Sequence, residues 1–319
     1  MNRIELYKYA KERIESYAKK CNVSQERLET VYYQPNHQAE CSDKMFYLFC
    51  GHLADRQYMG NIIKFYYEGS DTPNLLKKVL LNYDPKEVIE TYCNAEEIMA
   101  EIKKVSPSKI QNEDKWKEYL TGIYQCAEFL TSGKLGKSAI TFNNFLKKPA
   151  DTDEFKKYLH GLRPVINNLT GVGSAVCYNW LKECGAVWLA KPDLHIKRIV
   201  AGLILKQLES DKSIIPDSLD IINDTDKIIR AYMDNYTDET RFPANSGINK
   251  NCRLYPDEFV AVYMFKWAEE ICSSGIDNTI TPFKLDRILY LYCTNGNFYL
   301  EKNTEGNISE EDLLNKIRG

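Results

Sequence analysis

The chain has 319 residues, of which 44% are hydrophobic and 27% are charged, as in a globular protein with one large or two ordinary domains. These proportions exclude a disordered or fibrous chain, and no apolar run approaches the ~18 residues that a membrane span requires. The N-terminus alternates charged with apolar side chains and does not resemble a signal peptide, so we expect a cytoplasmic protein.

Ten cysteines are scattered along the chain, and none forms a CxxC pair. With only four histidines, none at ligand spacing from another, the sequence does not predict a zinc site. An iron–sulfur cluster is not predicted either, because four closely spaced cysteines are missing. We therefore expect free thiols in a reducing compartment and no required cofactor.

The net charge of −3 is unevenly distributed. Residues 134–206 contain 12 basic and five acidic residues and carry a charge of +7, whereas residues 207–319 carry −8. A basic middle beside an acidic C-terminal third favours one face for a polyanion. The alternative is that these charge runs are solvated helix faces.

Apolar residues recur at helical spacing along most of the chain, and this pattern predicts an all-α fold. The clearest stripes lie at residues 7–17, 162–169 and 285–292. Thr281, followed by proline, predicts the N-cap of the last of these helices. The best strand signal is short and lies at residues 297–300.

Residues 162–203 contain the most informative pattern. We predict a helix to Leu169, a tight turn, and a second helix from Ser174 to Cys184. Gly171 and Gly173 let the turn bend tightly and approach another molecule closely. The N–H groups that open the second helix would form an anion site suited to a phosphate. The alternative is that the two glycines only end one helix and start the next.

The segment that follows places Asp193 after Lys191 and Pro192 and before an apolar helix. On its own, Asp193 is most simply an N-cap of that helix. A functional role for Asp193 is suggested only when this segment is considered together with the preceding glycine turn.

The turn and the Asp193 segment together resemble the helix-hairpin-helix DNA glycosylase superfamily. The family pattern is L-x-G-V-G-x-x-x-A, followed further along by V/P-D-x-H-h-x-R. The chain matches it at Leu169, Gly171, Val172, Gly173, Pro192, Asp193, His195, Ile196 and Arg198. Cys177 replaces the alanine of the pattern. The match is specific in order and spacing but covers only a small part of the chain.

The resemblance implies two helical domains with the active site in the cleft between them. A barrel domain of residues 44–185 would end in the helix-hairpin-helix. Residues 1–43 together with 186–319 would form the second helical domain. In this family the enzyme excises a base from DNA.

The resemblance also implies roles for individual residues. Asp193 would be the catalytic carboxylate facing the sugar of an extruded nucleotide. DNA phosphates would be bound by the backbone amides or side chains of Gly171, Gly173, Ala175, His195 and Lys197. Backbone carbonyls of Asn167, Leu169 and Val172 would bind a structural monovalent cation.

Four further residues are candidates for the pocket of the flipped base or for the plug that fills its gap. Asn179 lies on the second hairpin helix, and Phe259 and Tyr263 lie on a later helix. His52 is the nearest polar match to the plug, where the family usually has glutamine or asparagine. The alternatives are a buried, hydrogen-bonded histidine and aromatic residues of the core.

Ala175 stands where family members that also cut the strand carry a Schiff-base lysine. The resemblance therefore implies a monofunctional DNA glycosylase that hydrolyses the N-glycosidic bond of a flipped damaged or modified base, a hydrolase of base excision and DNA repair. Its partner would be double-stranded DNA, with no membrane, and we expect a monomer. The alternative is a non-catalytic helix-hairpin-helix DNA-binding protein. Which base is excised, and whether the role is repair or defence against modified foreign DNA, stays open.

Overall fold

A computed structural model describes residues 1–35, 41–55, 75–105, 112–132, 142–208, 220–236, 240–244, 246–249, 252–296 and 308–318. Across these ranges the regular structure is helical, without a β-strand, and a single isolated bridge joins Arg241 to Arg253. The predicted all-α class is therefore confirmed. No helix in these ranges is long and apolar enough to cross a membrane. The predicted strand at 297–300 lies outside the described residues.

The α-helices are, in chain order, α1 Arg3–Lys20, α2 Gln25–Arg27, α3 Ser42–Ala54, α4 Leu75–Val79, α5 Pro85–Thr91, α6 Ala95–Val105, α7 Glu113–Ser132, α8 Thr152–Asn168, α9 Ser174–Glu183, α10 Leu194–Leu208, α11 Thr225–Asn235, α12 Pro256–Ser273, α13 Pro282–Cys293 and α14 Glu310–Arg318. A π-helical turn, Leu28–Tyr32, follows α2, and two 3₁₀ segments span Leu81–Tyr83 and Phe142–Leu146.

The chain divides into two compact units. Unit 1 comprises Met1–Asn36, Pro149–His160 and Val187–Gly319, and unit 2 comprises His37–Lys148 and Gly161–Ala186. Helix α8 begins in unit 1 and ends in unit 2. The assignment of domains at 44–185 and at 1–43 plus 186–319 stays a prediction.

Local sequence signals account for the helix ends of unit 1. Asn2 and Glu5 form a capping box at α1, in which each side chain accepts a hydrogen bond from the backbone N–H of the other. The hydroxyl of Thr281 accepts a hydrogen bond from Lys284 N, with Pro282 in the first turn. The predicted N-cap of α13 is therefore confirmed, and its apolar stripe is buried.

Unit 2 has an aromatic core in which Trp180 and Tyr119 donate hydrogen bonds to backbone carbonyls of α3. Trp180 of α9 donates from Nε1 to the carbonyl of Met45 at 2.9 Å, and its ring contacts Phe49 edge-on at 5.0 Å between centroids. Tyr119 of α7 donates its hydroxyl to the carbonyl of Cys50 at 3.0 Å. These contacts hold α9 and α7 against α3, since buried donors left without acceptors are destabilising.

A buried ionic network joins α1 to the start of α13 in unit 1. The carboxylate of Asp277 accepts hydrogen bonds from Tyr7 and Lys11 at 2.6 and 2.9 Å. Lys284, whose side chain is 3% exposed, lies 3.2 Å from the same carboxylate and 3.0 Å from Glu29. Burial alone would raise the pKa of Asp277, but hydrogen bonds from Tyr7, Lys11 and Thr279 outweigh it and hold that pKa well below its usual range.

We expect Asp277→Asn to lower the free energy of unfolding by about 3 kcal/mol at pH 7, because it removes one partner of a buried ion pair. The pKa of Asp277 is depressed in the folded state, so its stabilising contribution is complete above the unfolded pKa of about 4 and is lost as pH falls further. Urea titrations at pH 7, 5 and 3 would measure this. The difference between wild type and variant should shrink at pH 3, and a constant difference would contradict the assignment.

Candidate functional site

The predicted turn lies between α8 and α9 in unit 2, and we call residues Leu169–Gly173 the hairpin turn. Gly171 has φ of +79°, in the left-handed region that favours glycine. Val172 N donates to the carbonyl of Leu169 at 3.1 Å and closes the turn. The second helix starts at Ser174 as predicted and ends at Glu183.

Helix α7 fixes the hairpin turn through two residues that the sequence analysis did not single out. Thr170 N donates to Gln125 Oε1 at 2.7 Å. Gly122 lies so close to the turn that an added Cβ would be 2.4 Å from the carbonyl oxygen of Thr170. The only sequence signal was an isolated glycine within a helical pattern, which often marks a close approach.

The N-terminus of α9 is open. Gly173 is its N-cap, provides no side-chain hydrogen bond, and is exposed. A Cβ added to Gly173 would meet nothing within 4 Å, and the first turn contains no acidic residue. The first N–H groups of a helix have no acceptor within it, so this end can receive an anion.

Ala175 lies in that first turn and is half-buried. Its methyl group supplies no amine at the position where strand-cutting relatives of the resembled family have lysine. Neighbouring Ser174 and Val176 are also half-buried and also lack an amine. A Schiff-base nucleophile from this turn is therefore chemically impossible.

The three carbonyls predicted to bind a monovalent cation lie at or next to the hairpin turn. Asn167 is exposed, and Leu169 and Val172 are buried. The carbonyl of Leu169 already accepts the N–H of Val172, which leaves its second lone pair for a cation. Carbonyl oxygens are hard ligands of the type that hard cations prefer, so the donor set fits the expected ion. Among the residues that the structure describes, no group of three or more His, Cys, Asp or Glu side chains could hold a metal ion.

Asp193 lies in unit 1, at the start of α10. Its Oδ1 accepts a hydrogen bond from Ile196 N at 3.1 Å, so the residue is the N-cap of the helix. Its Oδ2 lies 3.9 Å from Lys191 Nζ, and the side chain is 15% exposed. Asp193 is therefore a partly buried carboxylate beside a cation, held in one orientation by its own helix.

The two side chains predicted to contact phosphates further along α10 have acidic neighbours within unit 1. Lys197 Nζ lies 2.6 Å from Asp257 and 3.6 Å from Asp226. Burial would lower the pKa of Lys197, but the hydrogen bond and charge of Asp257 outweigh it and raise that pKa. His195 Nδ1 lies 3.2 Å from Glu310 Oε1, although the two atoms are not aligned for a hydrogen bond.

These pairs bear on the uneven charge of the sequence. Arg198 joins Glu310 at 2.9 Å, so Arg198 and Lys197 of the basic window pair with carboxylates of the acidic C-terminal third. Lys182, in unit 2, is also withdrawn from the surface, because its side chain is 2% exposed. Ion pairing and burial therefore account for part of the +7 charge of residues 134–206. Lys147, Lys148 and Lys157 are among the basic residues of this window that are exposed.

The structure brings together two candidates that are 127 positions apart in the sequence. Asn179 Nδ2 of α9 lies 2.8 Å from His52 Nδ1 of α3, within unit 2. An amide NH₂ group only donates, so His52 Nδ1 accepts and the ring proton is on Nε2. Both side chains are half-buried. They form one polar pair, which the sequence did not predict.

Phe259 and Tyr263 lie on α12 in unit 1 and are 2% and 8% exposed. Their rings are neighbours at 6.2 Å between centroids, and Phe259 also contacts Tyr232 of α11 at 5.5 Å. Both residues line a cavity of about 90 Å³ within unit 1. They are core aromatics with one side on a cavity.

Of the predicted residues, therefore, unit 2 contains the hairpin turn, Ala175 and the pair formed by His52 and Asn179. Unit 1 contains Asp193, the residues of α10, and the aromatics of α12. Glu310, which contacts α10 from α14, gave no sequence signal. Comparison of the chain with protein-family models, with curated proteins and with solved structures finds no significant match.

Proposed function

We propose that this protein is a monofunctional DNA glycosylase of the helix-hairpin-helix type. The observation that carries the proposal is the open N-terminus of α9 after the Gly171 turn, followed in sequence by the partly buried carboxylate of Asp193. The proposed partner is double-stranded DNA with a damaged or modified base, bound by a monomer in the cytoplasm.

In this proposal the hairpin turn anchors the DNA backbone. The amides at Gly171, Gly173 and Ala175 donate to phosphate oxygens, and the positive end of the α9 dipole adds to the attraction. The exposed surface at Gly173 lets a phosphate approach the backbone closely. The turn's hydrogen bond to Gln125 fixes these donors before DNA binds, which lowers the entropy lost on binding.

Asp193 does the electrostatic work of base excision. As the bond between C1′ and the base breaks, its electron pair leaves with the base and the sugar becomes cationic. A fixed carboxylate stabilises that cation and accepts a proton from the water that attacks C1′. The departing base takes up a proton from the solvent, Asp193 releases the proton of the attacking water to the solvent, and the product is an abasic site in an intact strand.

The hydrogen bond from Ile196 N preorganises this carboxylate, because it holds the side chain in one rotamer. The same bond favours the alternative, a non-catalytic DNA-binding protein, since it explains Asp193 as a structural cap. Incubation with a panel of duplexes, each with a single lesion, followed by alkali cleavage at abasic sites, separates the two. Release of a base from any duplex supports the enzyme, and binding without release supports the alternative.

Gly173→Val should weaken DNA binding without unfolding the protein. The backbone of Gly173 is extended, at φ −98° and ψ 176°, and a Cβ there meets nothing, so valine fits the free protein. Its side chain would occupy the space that a phosphate needs. Wild-type affinity should also fall steeply with salt, because each bound phosphate releases counterions. Fluorescence anisotropy at several salt concentrations measures both effects, and unchanged affinity of the variant would count against the hairpin turn as the anchor.

Borohydride trapping during turnover should yield no covalent protein–DNA adduct, since Ala175 provides no amine for a Schiff base. Strand breaks should appear only after alkali or heat. Denaturing gels of labelled duplex measure both products. Ala175→Lys is the matched variant, because it places an amine in the same first turn. Efficient trapping of the wild-type protein would mean that another amine acts as nucleophile.

A further inference from the structure

Asp286 is a buried carboxylate beside the apolar stripe of α13, within unit 1. The residue is 1% exposed, and Leu285 and Leu289 next to it on the same helix are completely buried. Aspartate is almost never fully buried unless its charge has a partner. An apolar side chain of similar volume at such a site is often as stable as the charged one, or more stable. Stability alone therefore does not explain a carboxylate at this position.

Asp286 contacts the chain that leads into α10. Its Oδ2 accepts a hydrogen bond from Lys191 N at 3.1 Å. Lys191 belongs to residues 187–193, which contain no helix or strand and which we call the linking segment. Much of this segment is buried, so its backbone N–H and C=O groups need partners from elsewhere in the fold. Asp286 provides one of these partners.

The backbone of Lys191 is held on both sides. Its N–H donates to Asp286, and its carbonyl accepts a hydrogen bond from Asp193 N at 2.8 Å. Pro192, which lies between the two, has no N–H and favours an extended conformation of the residue before it. Two consecutive hydrogen bonds thus connect the buried carboxylate of Asp286 to the main chain of Asp193.

A second contact from α13 holds the start of the linking segment. The first N–H groups of a helix have no acceptor within that helix. Phe283 N, in the first turn of α13, donates to the carbonyl of Val187 at 3.0 Å. Helix α13 therefore binds the linking segment near both of its ends, by Phe283 at Val187 and by Asp286 at Lys191.

The position of the linking segment determines where the carboxylate of Asp193 lies. The hydrogen bond from Ile196 N fixes the rotamer of that side chain, but the main chain that bears it is fixed separately. A catalytic group must be held within about 0.5 Å of its productive position. Lys191 Nζ, 3.9 Å from Asp193 Oδ2, belongs to the same segment, so the neighbouring cation depends on the same contacts.

We propose that Asp286 is a positioning residue for base excision, which acts through the backbone of Lys191 on the carboxylate of Asp193. This inference rests on the proposed glycosylase function. Asp286 is buried and does not reach the DNA. Its role is to hold the main chain of residues 191–193 in place while the sugar becomes cationic.

Single-turnover excision by the full chain, on the lesion duplex that the wild type processes fastest, tests this role. Asp286→Ala removes the acceptor of Lys191 N and should lower the rate about tenfold or more, since a displacement of about 1 Å can cost about 100-fold. Affinity for the duplex should change much less, because the hairpin turn in unit 2 is the proposed anchor. Asp286→Asn keeps an acceptor oxygen at the same place and should restore most of the rate.

A double variant shows whether Asp286 acts through Asp193. When Asp193→Asn is already present, Asp286→Ala should lower the rate little further, because the group that it positions is gone. A general loss of stability would instead slow both backgrounds by the same factor.

Asp277→Asn is the matched control, because Asp277 is another buried carboxylate of unit 1. Its hydrogen bonds come from Tyr7, Lys11 and Thr279 and not from the linking segment. Under conditions in which circular dichroism shows each variant to be folded, Asp277→Asn should excise at the wild-type rate. If Asp286→Ala does not fold, Asp286→Leu takes its place, since leucine fills the site but accepts no hydrogen bond, and the same loss of rate is expected.

Hydrogen exchange measures the contact itself, independently of catalysis. The amides of Lys191 and Asp193 should exchange faster in Asp286→Ala than in the wild type, and by a larger factor than in Asp277→Asn. Unchanged exchange would overturn the contact.

The excision results separate this inference from the proposed function. If the wild type excises a base and Asp286→Ala does so equally fast, or if the effects of the two substitutions multiply in the double variant, the positioning role is overturned and the glycosylase proposal stands. If the wild type excises no base from any duplex, the proposed function falls, and the role of Asp286 in excision falls with it.

Discussion

Asp193→Asn should lower the single-turnover rate of base excision by at least ~100-fold, in line with the loss of one preorganised electrostatic group. The attraction between the carboxylate and the sugar is strongest when the sugar becomes cationic, so the carboxylate stabilises the transition state more than the ground state. Affinity for lesion-containing DNA should hold or rise. Asparagine keeps the side-chain oxygen that accepts from Ile196 N, so α10 should remain capped. Quenched-flow excision and anisotropy, with enzyme in excess, measure the two quantities.

Two control variants distinguish the effect of the negative charge of Asp193 from the effect of its role as the N-cap of α10. Asp193→Ala removes both and should cost a further ~1 kcal/mol of unfolding free energy. Asp84 caps α5 in unit 2 by accepting from Lys86 N and Glu87 N, so Asp84→Asn makes the same chemical change at an ordinary cap. It should leave excision unchanged. Normal excision by Asp193→Asn would leave the non-catalytic alternative, and unfolding of Asp193→Asn would make the residue a structural cap.

Gly122→Ala and Gly161→Ala should change stability in opposite directions, although both replace a glycine within a helix. The Cβ at residue 122 would be 2.4 Å from the carbonyl oxygen of Thr170 and 3.0 Å from Leu53 Cδ2. Backbone cannot yield as a flexible side chain does, so we expect a loss of about 2 kcal/mol. The Cβ at residue 161 meets nothing within 4 Å, and alanine there should stabilise by about 0.5–1 kcal/mol.

Urea denaturation measures both changes, and DNA affinity reports on the turn. Gly122→Ala displaces Thr170 and with it the donors at the start of α9, so its affinity for DNA should fall below that of Gly161→Ala. Similar stabilities for the two variants would contradict the close approach of α7 to the hairpin turn. If the two variants differ in stability but bind DNA equally well, the geometry of the hairpin turn does not determine DNA affinity.

The sequence by itself determined the helical class and the local geometry of the candidate site. Helical spacing predicted the stripe of α13, and Thr281 marked its start, because an N-cap and the backbone N–H that donates to it lie three residues apart. The turn at Gly171 and Gly173 and the cap at Asp193 could be predicted for the same reason, because their interactions join residues that are close in the sequence. Each of these features depends on neighbours within about one turn of helix, which any chain with that sequence presents.

Only the tertiary structure decided which distant side chains meet. The pair of His52 and Asn179 joins α3 to α9, and Lys197 meets Asp226 and Asp257 on two other helices. Periodicity shows that a residue faces the core but not which helix lies opposite, because that depends on how all the apolar faces pack together. The carboxylates around α10 and the approach of Gly122 to the hairpin turn follow from that packing, so neither could be predicted from the sequence.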